Sequence, residues 1–166
     1  GPALGMDETR EAVAKRYSQF GVQYQKDDIF VTSGCSHALQ MAISGSVSEG
    51  QALLLPKPGF SIYHTICDHF GVTAIDYPLL PEQDWQVDLT EVERLILEHK
   101  PVAWLINNPS NPCGSVYNKE HLLACLELAR KYKLLTIADE IYEDLVFEGH
   151  QYIPMASLSH DLPILT

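Results

Sequence analysis

The chain has 166 residues, of which 46% are hydrophobic, and its 22 acidic and 11 basic residues give a formal net charge of -11. A chain of this length buries roughly 70% of its unfolded surface, so its core needs neither disulfides nor a structural metal. The acidic balance argues against binding to the phosphate backbone of nucleic acids, and no apolar stretch approaches the roughly 20 residues of a membrane span.

Short, nearly continuous apolar runs alternate with helical patterns along the chain. Such runs are typical of strands that are buried on both faces of a parallel sheet. The predicted fold class is therefore α/β, a mostly parallel sheet with helices on both faces. The predicted strands cover residues 29–32, 52–55, 73–77, 102–106 and 134–138, and a further apolar strand opens within residues 162–166.

Residues that favour helix starts mark the helices between these strands. Asp7, Asp88 and Asn118 are predicted to cap helices over residues 8–19, 89–99 and 119–132, and two more helices are predicted near residues 36–42 and 60–70. Helical spacing predicts the core-facing side chains of the first and last capped helices. They are Ala12, Val13, the stem of Arg16, Tyr17 and Phe20 in the first, and Leu122, Leu123, Leu126 and Ala129 in the last.

Four loops follow the carboxyl ends of predicted strands, which is where open α/β sheets bind ligands. In the first loop, residues 32–36, backbone N–H groups and the hydroxyls of Ser33 and Ser36 would converge on an anion at a helix N-terminus. The alternative is a serine cap that follows a glycine turn. A helix end contributes only about 0.3–1 kcal/mol to binding a charge, so a phosphate would also need a cation.

The second and third loops are stiffened by prolines. Residues 56–60 contain two prolines and a glycine and present Phe60, whose face could stack on a planar ring, unless Phe60 simply packs in the core. Residues 107–114 contain two Asn-Pro pairs that could fix a carboxamide in place, and either X-Pro bond could be cis. The alternative for this third loop is a plain turn.

The fourth loop, residues 138–142, places Asp139 at the end of a buried strand and Tyr142 three residues later, on the same side. One alternative is that Asp139 caps a short helix. Another is the magnesium-binding aspartate of a nucleotide hydrolase, which requires a GxxxxGK[ST] loop that the chain does not complete at Gly45 to Gly50.

No metal site is predicted. His64, Cys67 and Asp68 would share a helix face at metal-ligand spacing, but a fourth ligand is missing, so a structural role is favoured. The chain also contains no HExxH, GxSxG or GxGxxG motif. Its four cysteines form no CxxC pair and the N-terminus shows no signal-peptide pattern, which predicts reduced thiols and a cytoplasmic location.

Together the four loops offer an anion cup, meaning the anion-binding helix start at residues 32–36, and the ring face of Phe60. They also offer an asparagine carboxamide within residues 107–114, and the Asp139 carboxylate beside the Tyr142 phenol. A flat, phosphorylated heteroaromatic with a ring nitrogen satisfies all of these features. Pyridoxal phosphate is such a molecule, and its sites include an acidic partner for the pyridine nitrogen. The predicted cofactor is therefore pyridoxal 5'-phosphate.

The runs at residues 108–115 (NPSNPCGS) and 138–142 (ADEIY) resemble the class I aminotransferases of fold type I, and look closest to the tyrosine aminotransferases. Supporting matches lie at residues 2–5, 9–12, 32–36, 58–60 and 161–165. The resemblance runs from end to end of the chain. It implies that residues 1–166 are part of the cofactor-binding large domain, with the remainder of that domain and the small domain outside this sequence.

The resemblance implies a role for each site residue. Asp139 would pair with the protonated pyridine nitrogen, and Tyr142 and Asn111 would hydrogen-bond the phenolic oxygen of the ring. Phe60 would stack on the ring, and the phosphate would be held by Gly34, Cys35 and Ser36. Asp139 and Tyr142 are the catalytic members of this set. Pro58 and Pro112 match positions where the family often has cis peptides.

The expected activity is transfer of an amino group from an aromatic, tyrosine-like amino acid to a 2-oxo acid by a homodimer in amino-acid metabolism. The resemblance places the lysine that forms the Schiff base beyond Thr166, so the polypeptide alone is expected to be inactive. One alternative is an inactive binding or regulatory module that dimerises with a full-length enzyme. Another is a lyase or decarboxylase on the same scaffold.

Overall fold

The structure is a computed structural model that describes residues 1–166 and contains a six-stranded sheet flanked by five α-helices. The strands are β1 (Ala52–Lys57), β2 (Thr73–Leu80), β3 (Gln86–Val87), β4 (Ala103–Asn107), β5 (Leu135–Asp139) and β6 (Ile164–Leu165). The helices are α1 (Asp7–Ser18), α2 (Cys35–Ser46), α3 (Ile62–Phe70), α4 (Leu89–His99) and α5 (Lys119–Tyr132), and a short 3₁₀ helix lies at Met155–Leu158.

The strands lie in the order β3-β2-β1-β4-β5-β6, and all pairs are parallel except the antiparallel pair of β2 and β3. From β1 the chain moves outward to β2, and it then returns to the other side of β1 to form β4. The order therefore reverses between β1 and β4, which makes this the topological switch point of the sheet. The predicted fold class is confirmed.

Two apolar layers cover the sheet because successive residues of a strand point to opposite faces. On one face Leu53, Leu105 and Ile137 pack with α2 and α3. On the other face Leu54, Trp104 and Ala138 pack with α4 and α5. This alternation also decides the direction in which polar residues point where the strands end.

The strand predicted at residues 29–32 is wrong. This segment is extended but lies outside the sheet, and Val31 donates its N–H to the Leu4 carbonyl at 3.0 Å. Within residues 1–166 no strand pairs with the segment. A strand needs such a neighbour regardless of its own β propensity. The short β3 was not predicted.

Two of the three predicted helix caps are confirmed. Asp88 accepts the N–H of Glu91 at 3.0 Å, and Asn118 accepts the N–H of His121 at 2.9 Å. Asp7 is instead the first residue of α1, where its carboxylate binds Arg10 and Lys26, each at 2.6 Å. These ion pairs hold the carboxylate away from the backbone N–H groups that a cap would satisfy.

The predicted buried face of α1 is only partly correct, because Val13 and Tyr17 are half-buried whereas Ala12 and Phe20 are exposed. The buried residues of the helix are Arg10 and Ala14. Arg10 turns inward because its guanidinium donates to the Lys26 carbonyl at 3.1 Å. In α5 the predicted stripe holds except at Leu123, which is 37% exposed. One residue advances a helix by about 100°, so the face that holds Leu122 and Leu126 leaves Leu123 at its edge. No helix is long and apolar enough to cross a membrane.

Candidate functional site

Asp139 is the residue on which the loops converge. It ends β5 and is only 5% exposed. The Tyr63 hydroxyl of α3 donates to its Oδ2 at 2.7 Å, and the Cys35 thiol of α2 lies 3.5 Å from its Oδ1. Ile137 points toward α2 and α3, so Asp139, two residues later, points toward the same face. Two helices and a strand end therefore meet at one carboxylate.

The asparagine-proline loop is attached to the backbone of the same residue. The Asn107 side chain and the Asn108 N–H both donate to the Asp139 carbonyl, at 2.9 and 3.0 Å. The Asn107 side chain in turn accepts the N–H of Asn111 at 2.6 Å. The Asn111 carboxamide is half-buried and makes no hydrogen bond within the chain. It therefore has its donors and acceptor free for a ligand.

Three X-Pro peptide bonds in these loops are cis. They precede Pro58, Pro109 and Pro112. The cis peptides expected at Pro58 and Pro112 are confirmed, and the bond before Pro109 adds a third.

The predicted anion cup lies at the start of α2. Gly34, with a φ of 87°, is the N-cap, and no side chain caps the helix, so the serine cap considered as an alternative does not form. The N–H groups of Cys35 and Ser36 have no acceptor within the chain. A Cβ at Gly34 would meet no atom within 4 Å, so the space beside Gly34 is open. Such a helix start suits an anionic group.

The two aromatic residues predicted for the site lie at its open side. Phe60 is 40% exposed, which excludes its alternative placement in the core, and its ring meets the Tyr63 ring edge-on at 6.0 Å. Tyr142 is half-buried in a turn, and its hydroxyl makes no hydrogen bond within the chain. The alternative of a short helix capped by Asp139 is wrong, because a turn follows instead, although Asp139 accepts the N–H of Ile141 at 3.3 Å.

Tyr63 is a residue of this site that was not predicted. It is 1% exposed, and its pKa is raised far above 10, first by burial and then by the Asp139 charge and hydrogen bond, with Cys35 and Tyr142 adding to the effect. Burial and Asp139 likewise raise the pKa of the Cys35 thiol to about 12. Both groups therefore keep their protons at neutral pH and act as donors. The sequence contained one signal for Tyr63, which is its spacing from Phe60. Tyr63 lies three residues after Phe60 at the start of a helix, and residues three apart in a helix lie on the same face.

A cavity of about 270 Å³ opens beside Asp139, between α2 and the ends of β5 and β6. Its lining includes Cys35 and Asp139, but Phe60, Asn111 and Tyr142 lie outside it. The cavity also exposes a second group of polar residues that was not predicted from the sequence, namely Tyr17, Glu140, Glu143 and Thr166.

Lys57 and His64 lie near these loops but belong to a surface cluster. The Lys57 ammonium and the His64 ring each contact Asp76 at 2.8 Å. Hydrogen bonding to Asp76 raises the pKa of Lys57, which keeps this amine protonated. Cys67 is buried in the core and does not join His64 in this surface cluster. No group of three metal-ligating side chains is present.

Replacing Tyr63 with phenylalanine is expected to lower the free energy of unfolding by about 1.5–3 kcal/mol, because it removes a buried hydrogen bond to a charged group. Urea unfolding of the 166-residue chain measures this change. Tyr132→Phe is a matched control, because its hydroxyl bonds Glu93 at 2.7 Å at the surface and is worth less than about 1 kcal/mol. Equal losses in the two variants would show that Tyr63 does not support Asp139 in this way.

The fold and the contacts around Asp139 are those of an α/β protein that gathers its ligand-binding loops at the switch point of a parallel sheet. A family profile described as aminotransferase class I and II matches residues 1–166. The chain belongs to this family, whose members use pyridoxal phosphate.

Individual relatives agree with this assignment. Tyrosine aminotransferase of Mus musculus is 42% identical over 99% of this chain and 36% of its own length. S-alkyl-thiohydroximate lyase of Arabidopsis thaliana is 33% identical over the whole chain and 36% of its own length. The solved structure of alanine aminotransferase from Pyrococcus furiosus matches with a TM-score of 0.93 at 32% identity, over 99% of this chain and 42% of that one. The chain therefore spans about a third of the length of the curated relatives that it matches.

Proposed function

We propose that the protein, expressed from its complete reading frame, is a pyridoxal phosphate-dependent aminotransferase that moves an amino group from an aromatic amino acid to a 2-oxo acid. The observation that carries this proposal is the convergence of α2, α3 and the asparagine-proline loop on the buried Asp139, at the end of β5 and one strand from the switch point of the sheet. The family assignment and the similarity to tyrosine aminotransferases support the choice of reaction and substrate class.

The residues present fit the cofactor. When bound, pyridoxal phosphate supplies an electron sink for the negative charge that remains at the substrate Cα after proton loss. Asp139 has acceptor capacity left after accepting from Tyr63, Cys35 and the Ile141 N–H, because a carboxylate offers about four lone-pair sites. It would accept the N–H of the protonated ring nitrogen, and its two protonated neighbours would hold it in place.

The other site residues supply donors and an aromatic face. Asn111 and Tyr142 would donate to the phenolic oxygen of the ring, since neither side chain is engaged within the chain. The exposed face of Phe60 would stack on the ring. The unpaired N–H groups of Cys35 and Ser36, reached past Gly34, would hold the phosphate.

We further propose that residues 1–166 belong to the cofactor-binding large domain of a cytoplasmic homodimer. The location is supported by the four cysteines, all of which are free thiols, as in proteins of reducing compartments. The dimer is supported by large apolar side chains that are exposed just after the site, at Ile141, Leu145 and Phe147.

The proposal is tested by incubating the protein, expressed from its complete reading frame, with pyridoxal phosphate, tyrosine and 2-oxoglutarate. The expected result is one glutamate formed for each tyrosine consumed, with the parallel double-reciprocal lines of a ping-pong mechanism. Cleavage of the amino acid without consumption of 2-oxoglutarate would instead indicate a lyase, the activity named for the plant relative. Retention of the cofactor without turnover of any amino acid would indicate a binding or regulatory module.

A further inference from the structure

Glu140 is a buried carboxylate directly beside the proposed catalytic residue, and the proposed chemistry makes no use of it. It follows Asp139 in the chain and is 7% exposed. Successive residues at a strand end point in opposite directions, so Glu140 faces away from Tyr63 and Cys35. It lies instead among residues that come later in the chain.

Hydrogen-bond donors from two later segments meet this carboxylate. Oε1 accepts the N–H of Met155, in the 3₁₀ helix, at 2.9 Å. Oε2 accepts the hydroxyl of Thr166, directly after β6. The Tyr152 phenol also lies beside the carboxylate, although its hydroxyl does not reach full hydrogen-bond geometry. Each oxygen of the carboxyl group therefore accepts a hydrogen bond from a different later segment.

A second layer ties this group to the N-terminal helix. Glu143, three residues after Glu140, accepts the Tyr17 hydroxyl at 3.2 Å and pairs with Arg16 at 2.9 Å, and both partners belong to α1. Arg16 also binds Asp144 at 2.7 Å. The turn that follows β5 is therefore held from one side by α1 and from the other by Met155 and Thr166.

We propose that Glu140 is a positioning residue that holds the end of β5, and with it the Asp139 carboxylate, in the geometry needed to bind the cofactor. Asp139 and Glu140 share a peptide unit, so a backbone shift that relieves one side chain also moves the other. A displacement of about 1 Å at a site of this kind can lower a rate by about 100-fold. The cofactor part of this inference rests on the proposed function, whereas the anchoring of Met155 and Thr166 does not.

The test compares Glu140→Gln with Glu148→Gln, a control that removes an exposed carboxylate from the same segment. In protein expressed from its complete reading frame and freed of cofactor, hydrogen-deuterium exchange is expected to quicken at the Met155 amide and around residue 166 in Glu140→Gln only. Titration with pyridoxal phosphate, followed by tryptophan fluorescence, is expected to show about tenfold weaker binding, because residues in contact do not act independently.

A double-mutant cycle separates positioning from general destabilisation. If Glu140 acts through Asp139, Glu140→Gln changes cofactor affinity by less than about twofold when Asp139→Asn is already present. Additive losses, or unchanged exchange at Met155, would overturn the proposal. Thr166→Val removes a single donor and carries the same test if Glu140→Gln does not fold. Failure of the wild-type protein to bind pyridoxal phosphate would overturn the proposed function, and the exchange measurement would still decide whether Glu140 is an anchor.

Discussion

Replacing Asp139 with asparagine is expected to lower kcat for amino transfer by about 10²–10³-fold in protein expressed from its complete reading frame. The change keeps the size of the side chain and removes the negative charge that would face the protonated ring nitrogen. Removing one partner of a buried ion pair costs about 3–5 kcal/mol, and each 1.4 kcal/mol in a barrier is tenfold in rate. Steady-state kinetics with tyrosine and 2-oxoglutarate measure the loss.

Asp68→Asn is the matched control for Asp139→Asn. Asp68 lies on α3, two residues from the buried Ile66, but its carboxylate is exposed and forms no ion pair. The control is expected to keep kcat within about twofold, since surface substitutions of this kind change stability by less than about 0.5 kcal/mol. A kcat for Asp139→Asn that equals the control, with circular dichroism unchanged, would remove Asp139 from the proposed chemistry.

The strands were predictable from the sequence because their signal is local. Residues 52–55 and 102–106 are apolar on both faces, and the structure buries them between two helical layers. Residues 29–32 carry the same signal but form no strand, because pairing depends on a neighbour that the segment itself cannot specify. The inward turn of Arg10 on α1 likewise depends on a distant partner, the Lys26 carbonyl.

The same distinction applies to the site. Asp139 was predictable because the carboxyl end of a buried strand is where open α/β sheets bind ligands. Tyr63 was not predicted because its contact with Asp139 depends on the rotation of α3 against the sheet, which is fixed by packing on Leu53 and Leu105. Glu140 was not predicted because a glutamate is seldom buried, and its burial requires donors from residues 155 and 166.

The burial of Glu140 also leads to a prediction about how the stability of the chain depends on pH. Burial raises the pKa of Glu140 from 4.5 to about 7, although the hydrogen bonds from Thr166 and Met155 oppose this shift. Between these two pH values the folded chain holds a proton that the unfolded chain has lost. The free energy of unfolding contributed by this group is therefore fully present below pH 4.5 and is lost as the pH rises through 7. This direction is opposite to that of a carboxylate stabilised by an ion pair.

The phenols that face Glu140 do not ionise in the pH window in which Glu140 loses its proton. The phenols of Tyr17, Tyr24 and Tyr152 have pKa values raised by burial and by the nearby carboxylates, so they remain neutral. Glu143 is the remaining acid in the cluster, and it is paired with Arg16. His121, whose pKa is lowered by burial, contributes with the opposite sign but is common to wild type and variant.

The free energy of unfolding of the wild type, minus that of Glu140→Gln, is expected to fall by about 3 kcal/mol between pH 4.5 and pH 8. Glutamine does not ionise, so the subtraction isolates this one carboxyl. Urea unfolding of the 166-residue chain at several pH values measures the difference, provided that fluorescence and circular dichroism give coincident transitions. Glu148→Gln, which removes a carboxylate from an exposed site of the same segment, is the control and is measured over the same range. A difference for Glu140→Gln that does not fall with pH would mean that the donors around Glu140 do not enclose it in solution.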